Sequence, residues 1–130
     1  MRFYRIENEK GQGPYRNDHV INMFNYINNN SDSFDFDSYY ETRPTPLEEN
    51  RIISSNFIGH EKNFIFGFSS KKKLIAWFTF ANEYEYFEKY GFKVSVYNAT
   101  ETYKSKFQTI ARRKDLTLVK KINFKDFIDN

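Results

Sequence analysis

Between Asn63 and Phe78 the chain reads NFIFGFSSKKKLIAWF, a run that must change from strand to helix within a few residues. Asn63 to Phe68 carries the aromatic and β-branched content of a strand. Ser69 or Ser70 then stands where a helix N-cap is wanted. In the segment that follows, Leu74, Trp77 and Phe78 fall on one face, the spacing of a buried helical stripe. The stretch therefore fixes one strand, one sharp turn and one helix. Its three lysines, Lys71, Lys72 and Lys73, sit on the first turn of that helix, where the dipole disfavours positive charge. That placement marks them as a candidate contact for an anion.

The flanking sequence extends the pattern. RFYRIE, from Arg2 to Glu7, alternates with Tyr4 and Ile6 on one face and Phe3, Arg5 and Glu7 on the other, and reads as a first strand. Gly11, Gly13 and Pro14 then enforce a loop. A helix is expected from Asn17 or Asp18 through Val20, Phe24 and Ile27, ending in NNNSDS. Ser31 to Pro46 reads as a long acidic surface excursion. A short helix restarts with Thr45 as cap and Pro46 in its first turn. After Phe78, Asn82 and Glu85 form a capping box, Tyr84 and Phe87 share a face, and Gly91 stops the helix. FKVSVYN then alternates, with Phe92, Val94 and Val96 inward and Lys93, Ser95 and Tyr97 outward. KFQTIA, the turn RRKD and LTLVKKINF read as a closing β-hairpin that places Phe107 and Phe124 toward the core.

This order of elements predicts an α+β fold. We expect one compact domain over residues 1–130, with a mixed or antiparallel twisted sheet, three to four helices packed on it, and a C-terminal β-hairpin. Fifteen Phe and ten Tyr imply that the core is filled by rings. The chain has no cysteine, which excludes disulfides, thiolate catalysis and Cys-based zinc sites. His19 and His60 are expected as ordinary surface or half-buried residues rather than metal ligands. No apolar run approaches the roughly 18 residues a membrane-crossing helix needs, and the N-terminal residues have no apolar leader-like core. The chain reads as soluble and non-secreted.

Charge is unevenly distributed. Between Ser31 and Asn50 there are six acids, Asp32, Asp35, Asp37, Glu41, Glu48 and Glu49, against the single base Arg43. From Thr102 to Lys125 eight basic residues face only Asp115. The acids lack the defined loop of a calcium site and suit a solvated or partner-facing segment. The basic stretch, with Arg112, Arg113 and Lys114 at its turn, can contact phosphates or another anion, and its interleaved rings admit nucleic acid as a partner. No nucleophile–base set, phosphate-binding loop or metal motif can be assembled. Pro14 takes a backbone N–H from GQGP, so that segment reads as a turn. No cofactor and no catalytic residue is assigned.

Four segments, FYRIENEKGQGPYR, FGFSSKKKLIAWF, YGFKVSVYNA and FQTIARRKDLTLVKKINF, occur in an order that resembles a family of small, largely uncharacterised bacteriophage proteins. The same order is faintly similar to the ADP-ribosyltransferase fold. That second resemblance implies an NAD-type nucleotide site with Arg5 on the first strand, Ser69 or Ser70 after an aromatic residue, and Gln108 where the catalytic glutamate would stand. Glutamine cannot supply the negative charge that stabilises an oxocarbenium-like transition state, and Glu101 falls earlier, in the approach loop. The phage resemblance implies an accessory protein in the cytoplasm of a host cell. It would bind a host protein without catalysis, a CRISPR effector or another defence component being the expected class, through Asp32, Asp35, Asp37, Glu41, Glu48 and Glu49. Two other readings stay open. One is an ADP-ribosyltransferase-like enzyme or nucleotide binder, and the other a nucleic-acid-binding protein acting through the basic C-terminal region.

Overall fold

The alternation in RFYRIE and the change at the serine pair both appear in three dimensions. The computed structural model describes residues 1–13, 64–78, 81–104 and 108–129, with the backbone alone for 81–83. The helix expected from Asn17, the acidic run with Asp32, Asp35, Asp37, Glu41, Glu48 and Glu49, the short helix from Thr45, both histidines, Phe107 and the Asn82 side chain lie outside these residues. In chain order the described elements are β1 (Arg2–Glu7), β2 (Phe64–Gly67), α1 (Lys71–Trp77), α2 (Ala81–Lys89), β3 (Lys93–Ala99), β4 (Tyr103–Lys104), β5 (Thr109–Arg112), a 3-10 turn (Arg113–Asp115), β6 (Leu116–Ile122) and α3 (Phe124–Asp129). The architecture is α+β, as expected.

The strands form two three-stranded sheets, one ordered β1-β3-β6 and the other β2-β5-β4, with antiparallel pairing throughout. β5 and β6 therefore do not form the expected C-terminal hairpin. The RRKD segment is a 3-10 turn that hands the chain from one sheet to the other. The strand expected to run through Phe124 also stops early, at Ile122. Asn123 accepts a backbone hydrogen bond from Phe127 at 3.0 Å, and Phe124 and Phe127, three apart on α3, are both buried.

One face of the first sheet carries Ile6, Val94 and Val96 and packs on the helices. Leu74, Trp77 and Phe78 from α1 and its end, Tyr86 and Phe87 from α2, and Phe124 and Phe127 from α3 join that core. The rings meet edge to face, with Phe78 and Phe87 centroids 5.2 Å apart at 85°, the arrangement their quadrupoles favour. Full burial of a ring such as Phe87 stabilises by roughly 2–3 kcal/mol. Ser70 caps α1, its hydroxyl accepting from the Lys73 backbone N–H at 3.2 Å. Gly91, at φ 77°, follows α2 and lets the Phe92 N–H reach the Phe87 carbonyl at 2.8 Å, so the expected stop is made by a left-handed glycine.

The other face of the first sheet is also covered. Phe3 and Ala99 pack with Ile65 and Ala111 of the second sheet, flanked by Tyr97 and Leu116. β3, central in its sheet, thus buries both sides, and Ser95, expected to point outward, is 0% exposed. The backbones of the two sheets meet where Tyr4 and Phe68 exchange hydrogen bonds of 2.8 Å each. Gly67 makes that approach possible. A Cβ there would lie 2.5 Å from Phe3 Cζ and 2.6 Å from the Tyr4 carbonyl oxygen.

Candidate functional site: a closed polar network and an open strand edge

Strand alternation puts Arg5 and Glu7 on the covered face of β1, and the antiparallel register sets Arg5 opposite Ser95 on β3. Polar groups buried there must find partners or carry a desolvation cost. Arg5 Nε donates to Glu7 Oε2 at 3.0 Å, and its Nη1 donates to the Phe66 carbonyl at 2.7 Å. The Tyr97 hydroxyl donates to the other oxygen, Glu7 Oε1. Burial draws Arg5 below the usual guanidinium range, with Glu7 opposing that shift and the nearby charge of Arg113 adding to it. Burial, reinforced by the hydrogen bond to Glu7, pushes the Tyr97 phenol up to about 12. Ser95 Oγ is buried without a partner of good hydrogen-bond geometry, although it lies close enough to the Tyr97 hydroxyl to favour the phenolate slightly.

The loop after β1 is tied down by its own side chains. Asn8 Oδ1 accepts from the backbone N–H groups of Lys10 and Gln12, both at 3.0 Å. Arg113 Nη2 donates to the Gly11 carbonyl at 3.2 Å, so the 3-10 turn is fastened to this loop. Arg112 is held at both ends, by Asp115 through Nε at 2.8 Å and by Glu101 through Nη2 at 3.0 Å. The hydrogen bond to Asp115 is the main reason its guanidinium titrates above the usual range.

These contacts sort the residues singled out from sequence. Arg5, Ser69 and Gln108 do lie around one junction. Each neighbours a paired residue, Tyr4 with Phe68 in the first two cases and Thr109 with Gly67 in the third. Their polar groups are engaged rather than convergent. Arg5 is bound to Glu7 and Phe66, Ser70 caps α1, and Ser69 Oγ accepts from Lys73 Nζ at 3.4 Å. Gln108 is buried beside β5. Lys71 Nζ lies 5.3 Å from the centroid of the Phe127 ring, a cation–π contact that accounts for one of the three lysines. Lys72, Lys73 and Lys114 are exposed. Of the basic turn, both arginines therefore have intramolecular work.

Sequence reasoning passed over Glu7, although its place two residues from Arg5 on one strand face was a usable signal. It read β6 as one arm of the basic C-terminal hairpin, and so missed its place in the first sheet. That strand lies at the edge of the first sheet and, among the described residues, pairs only with β3. Val96 pairs with Lys120 and Tyr97 with Leu118, leaving Val119 as an extra residue in a bulge. Leu118 and Val119 are 48% and 43% exposed, and Thr117, Lys120 and Lys121 are exposed beside them. Two apolar residues in succession, interrupting alternation, were the sequence mark of this feature. Among the described residues no group of acids and histidines could hold a metal ion, and no helix is long and apolar enough to cross a membrane.

Compared with known proteins, the chain matches the family described as Bacteriophage T4 Y00F protein over residues 1–125. No curated protein and no solved structure matches it, and nothing in these comparisons supports the likeness to ADP-ribosyltransferases. With nearly its whole length covered, the chain belongs to the bacteriophage T4 Y00F protein family.

Proposed function

We propose that this chain is a phage accessory protein that acts by binding a protein of the infected cell, without catalysis, and that a component of host defence is the partner. Membership of a phage family supports the setting. The observation that carries the binding reading is the outer edge of β6, which among the described residues has no strand partner beyond β3, and where Leu118 and Val119 are nearly half exposed. Edge strands offer unpaired N–H and C=O groups to other chains, and adjacent exposed apolar residues add area that gains from being covered. The Arg5–Glu7–Tyr97 network belongs to the scaffold in this reading, since its carboxylate and guanidinium are satisfied within the chain. The acidic residues between Asp32 and Glu49 remain a second candidate surface for the same partner.

The test compares the wild-type chain with Leu118→Asp/Val119→Asp in infected cells, after a thermal melt has established that the variant folds. Partners captured by the wild type alone are purified and titrated directly. The expected result is a dissociation constant weakened by at least about tenfold, a change of ~1.4 kcal/mol. Equal binding by both proteins overturns the assignment to β6. Phage lacking the chain is also plated on hosts with and without a defence system such as CRISPR. A deficit confined to the defended host is expected, and equal plating on both overturns the counter-defence role.

A further inference from the structure

Resting on that binding reading, we infer that the β6 edge takes an extended, acidic segment of the partner protein, which adds as a fourth strand to the first sheet. An edge strand recognises such a segment through main-chain hydrogen bonds, and its side chains select the sequence. Here the selection is electrostatic. From Leu116 to Phe124 the only charged residues are Lys120 and Lys121, and both are exposed. Lys120 stands opposite Val96 and Lys121 opposite Ser95, so the two ammonium groups leave β6 on opposite faces of the sheet. An incoming strand with acids at two successive positions meets both. Beside them, Leu118 and Val119 call for apolar residues in the same segment. The matching sequence is therefore an acidic pair adjoining an apolar pair.

Two further exposed lysines stand near this edge. Lys93 at the start of β3 and Lys114 before β6 are exposed and add to its positive field. Glu101 and Asp115 are held by Arg112. A second copy of the chain is disfavoured on the same grounds, because pairing β6 with itself gathers four lysines in one short ribbon. The bulge and the lysines thus exclude identical edges and admit a strand of opposite charge, which is how specificity by repulsion works. Nucleic acid fits less well. Arg112 and Arg113, the groups best shaped for phosphate, are committed to Asp115, Glu101 and the Gly11 carbonyl, and β6 carries no aromatic side chain on which a base could stack.

The test uses short capped peptides with the full chain. One holds two adjacent glutamates beside two adjacent valines, one has lysines in place of the glutamates, and polyglutamate and single-stranded DNA serve as anion controls. Binding is followed with salt and by amide hydrogen exchange across 116–122. The glutamate peptide is expected to bind with an affinity that falls as salt rises, and to slow exchange at alternate β6 amides. Lys120→Glu/Lys121→Glu is expected to reverse the preference by about tenfold in favour of the lysine peptide. Equal binding of both peptides, no slowed β6 amide at millimolar peptide, or tighter binding of polyglutamate or DNA than of the glutamate peptide each overturns the inference. If the peptides fail while Leu118→Asp/Val119→Asp still abolishes capture of the cellular partner, strand addition is wrong and the binding reading stands.

Discussion

Replacing Gly67 by alanine tests the backbone contact between the two sheets. The added Cβ would meet Phe3 Cζ at 2.5 Å, the Tyr4 carbonyl oxygen at 2.6 Å and Phe3 Cε1 at 2.8 Å. Two of these atoms belong to a ring that is 0% exposed, and the third is backbone. Neither can yield without cost. Van der Waals contact needs close to another ångström of separation, and the Tyr4 oxygen is the acceptor of the Phe68 N–H bond at 2.8 Å. Overpacking of this kind costs about 1–3 kcal/mol. Weakening the two Tyr4–Phe68 hydrogen bonds adds ~1 kcal/mol for each one lost. Alanine recovers about 0.4–1 kcal/mol by restricting the unfolded chain. The net loss is then about 3 kcal/mol, roughly a 10 °C fall in Tm for a chain of this size.

Urea denaturation followed by circular dichroism measures this directly, as a fall in the midpoint with little change in slope. Gly91→Ala is the control, because no atom lies within 4 Å of a Cβ there and only its positive φ of 77° opposes the change. That variant should lose about 1 kcal/mol. Adding Phe3→Leu to Gly67→Ala should restore only part of the loss, since the Tyr4 oxygen stays in place. A Gly67→Ala protein as stable as Gly91→Ala would refute the reasoning, by showing that the two sheets part freely at this point.

Glu7→Gln leaves the Arg5 guanidinium buried with a neutral partner, and a loss of about 3 kcal/mol is expected in the same assay, as for other broken buried pairs. Tyr97 should make the fold sensitive to alkali. Its phenol is raised to about 12 in the folded chain, against about 10 when unfolded, so the folded state keeps a proton that the unfolded state has released. The contribution is complete below about pH 10 and lost as pH rises toward 12, amounting to ~1 kcal/mol after allowance for solvent screening at a partly exposed group. Tyr97→Phe should remove that pH-dependent component, read from denaturation midpoints across the window and from an ultraviolet titration of the phenol. Ser70→Ala removes the cap of α1 and should cost about 1 kcal/mol, whereas Ser69→Ala should change stability little.

Local features were legible because they depend on neighbours in the chain. The strand content of FIFGF, the serine cap and the Leu74, Trp77, Phe78 stripe follow from backbone preference and spacing, and all three are present. Gly91 was identifiable for the same reason, since few other residues accept a positive φ at a helix end. The closing hairpin was misread because two adjacent strands joined by a short charged turn usually pair with each other. Here β5 is claimed by β2 and β6 by β3, and that competition is settled by residues far away in sequence.

The site divides along the same line. From sequence alone came a ring-filled α+β core, the absence of cysteine chemistry, and two pools of opposite charge. Tertiary structure decided which charges are spent and which remain. It turned Arg5 inward onto Glu7, fastened Arg112 and Arg113 to the scaffold, and left Lys120 and Lys121 exposed on a strand that, among the described residues, pairs only with β3. Composition cannot distinguish these cases, because the carbonyls that complete them, Phe66 for Arg5 and Gly11 for Arg113, stand 61 and 102 residues away along the chain. Burial of Ser95 has the same origin, since alternation assigns a residue to one face of a strand but only the packing of a second sheet determines whether that face meets water.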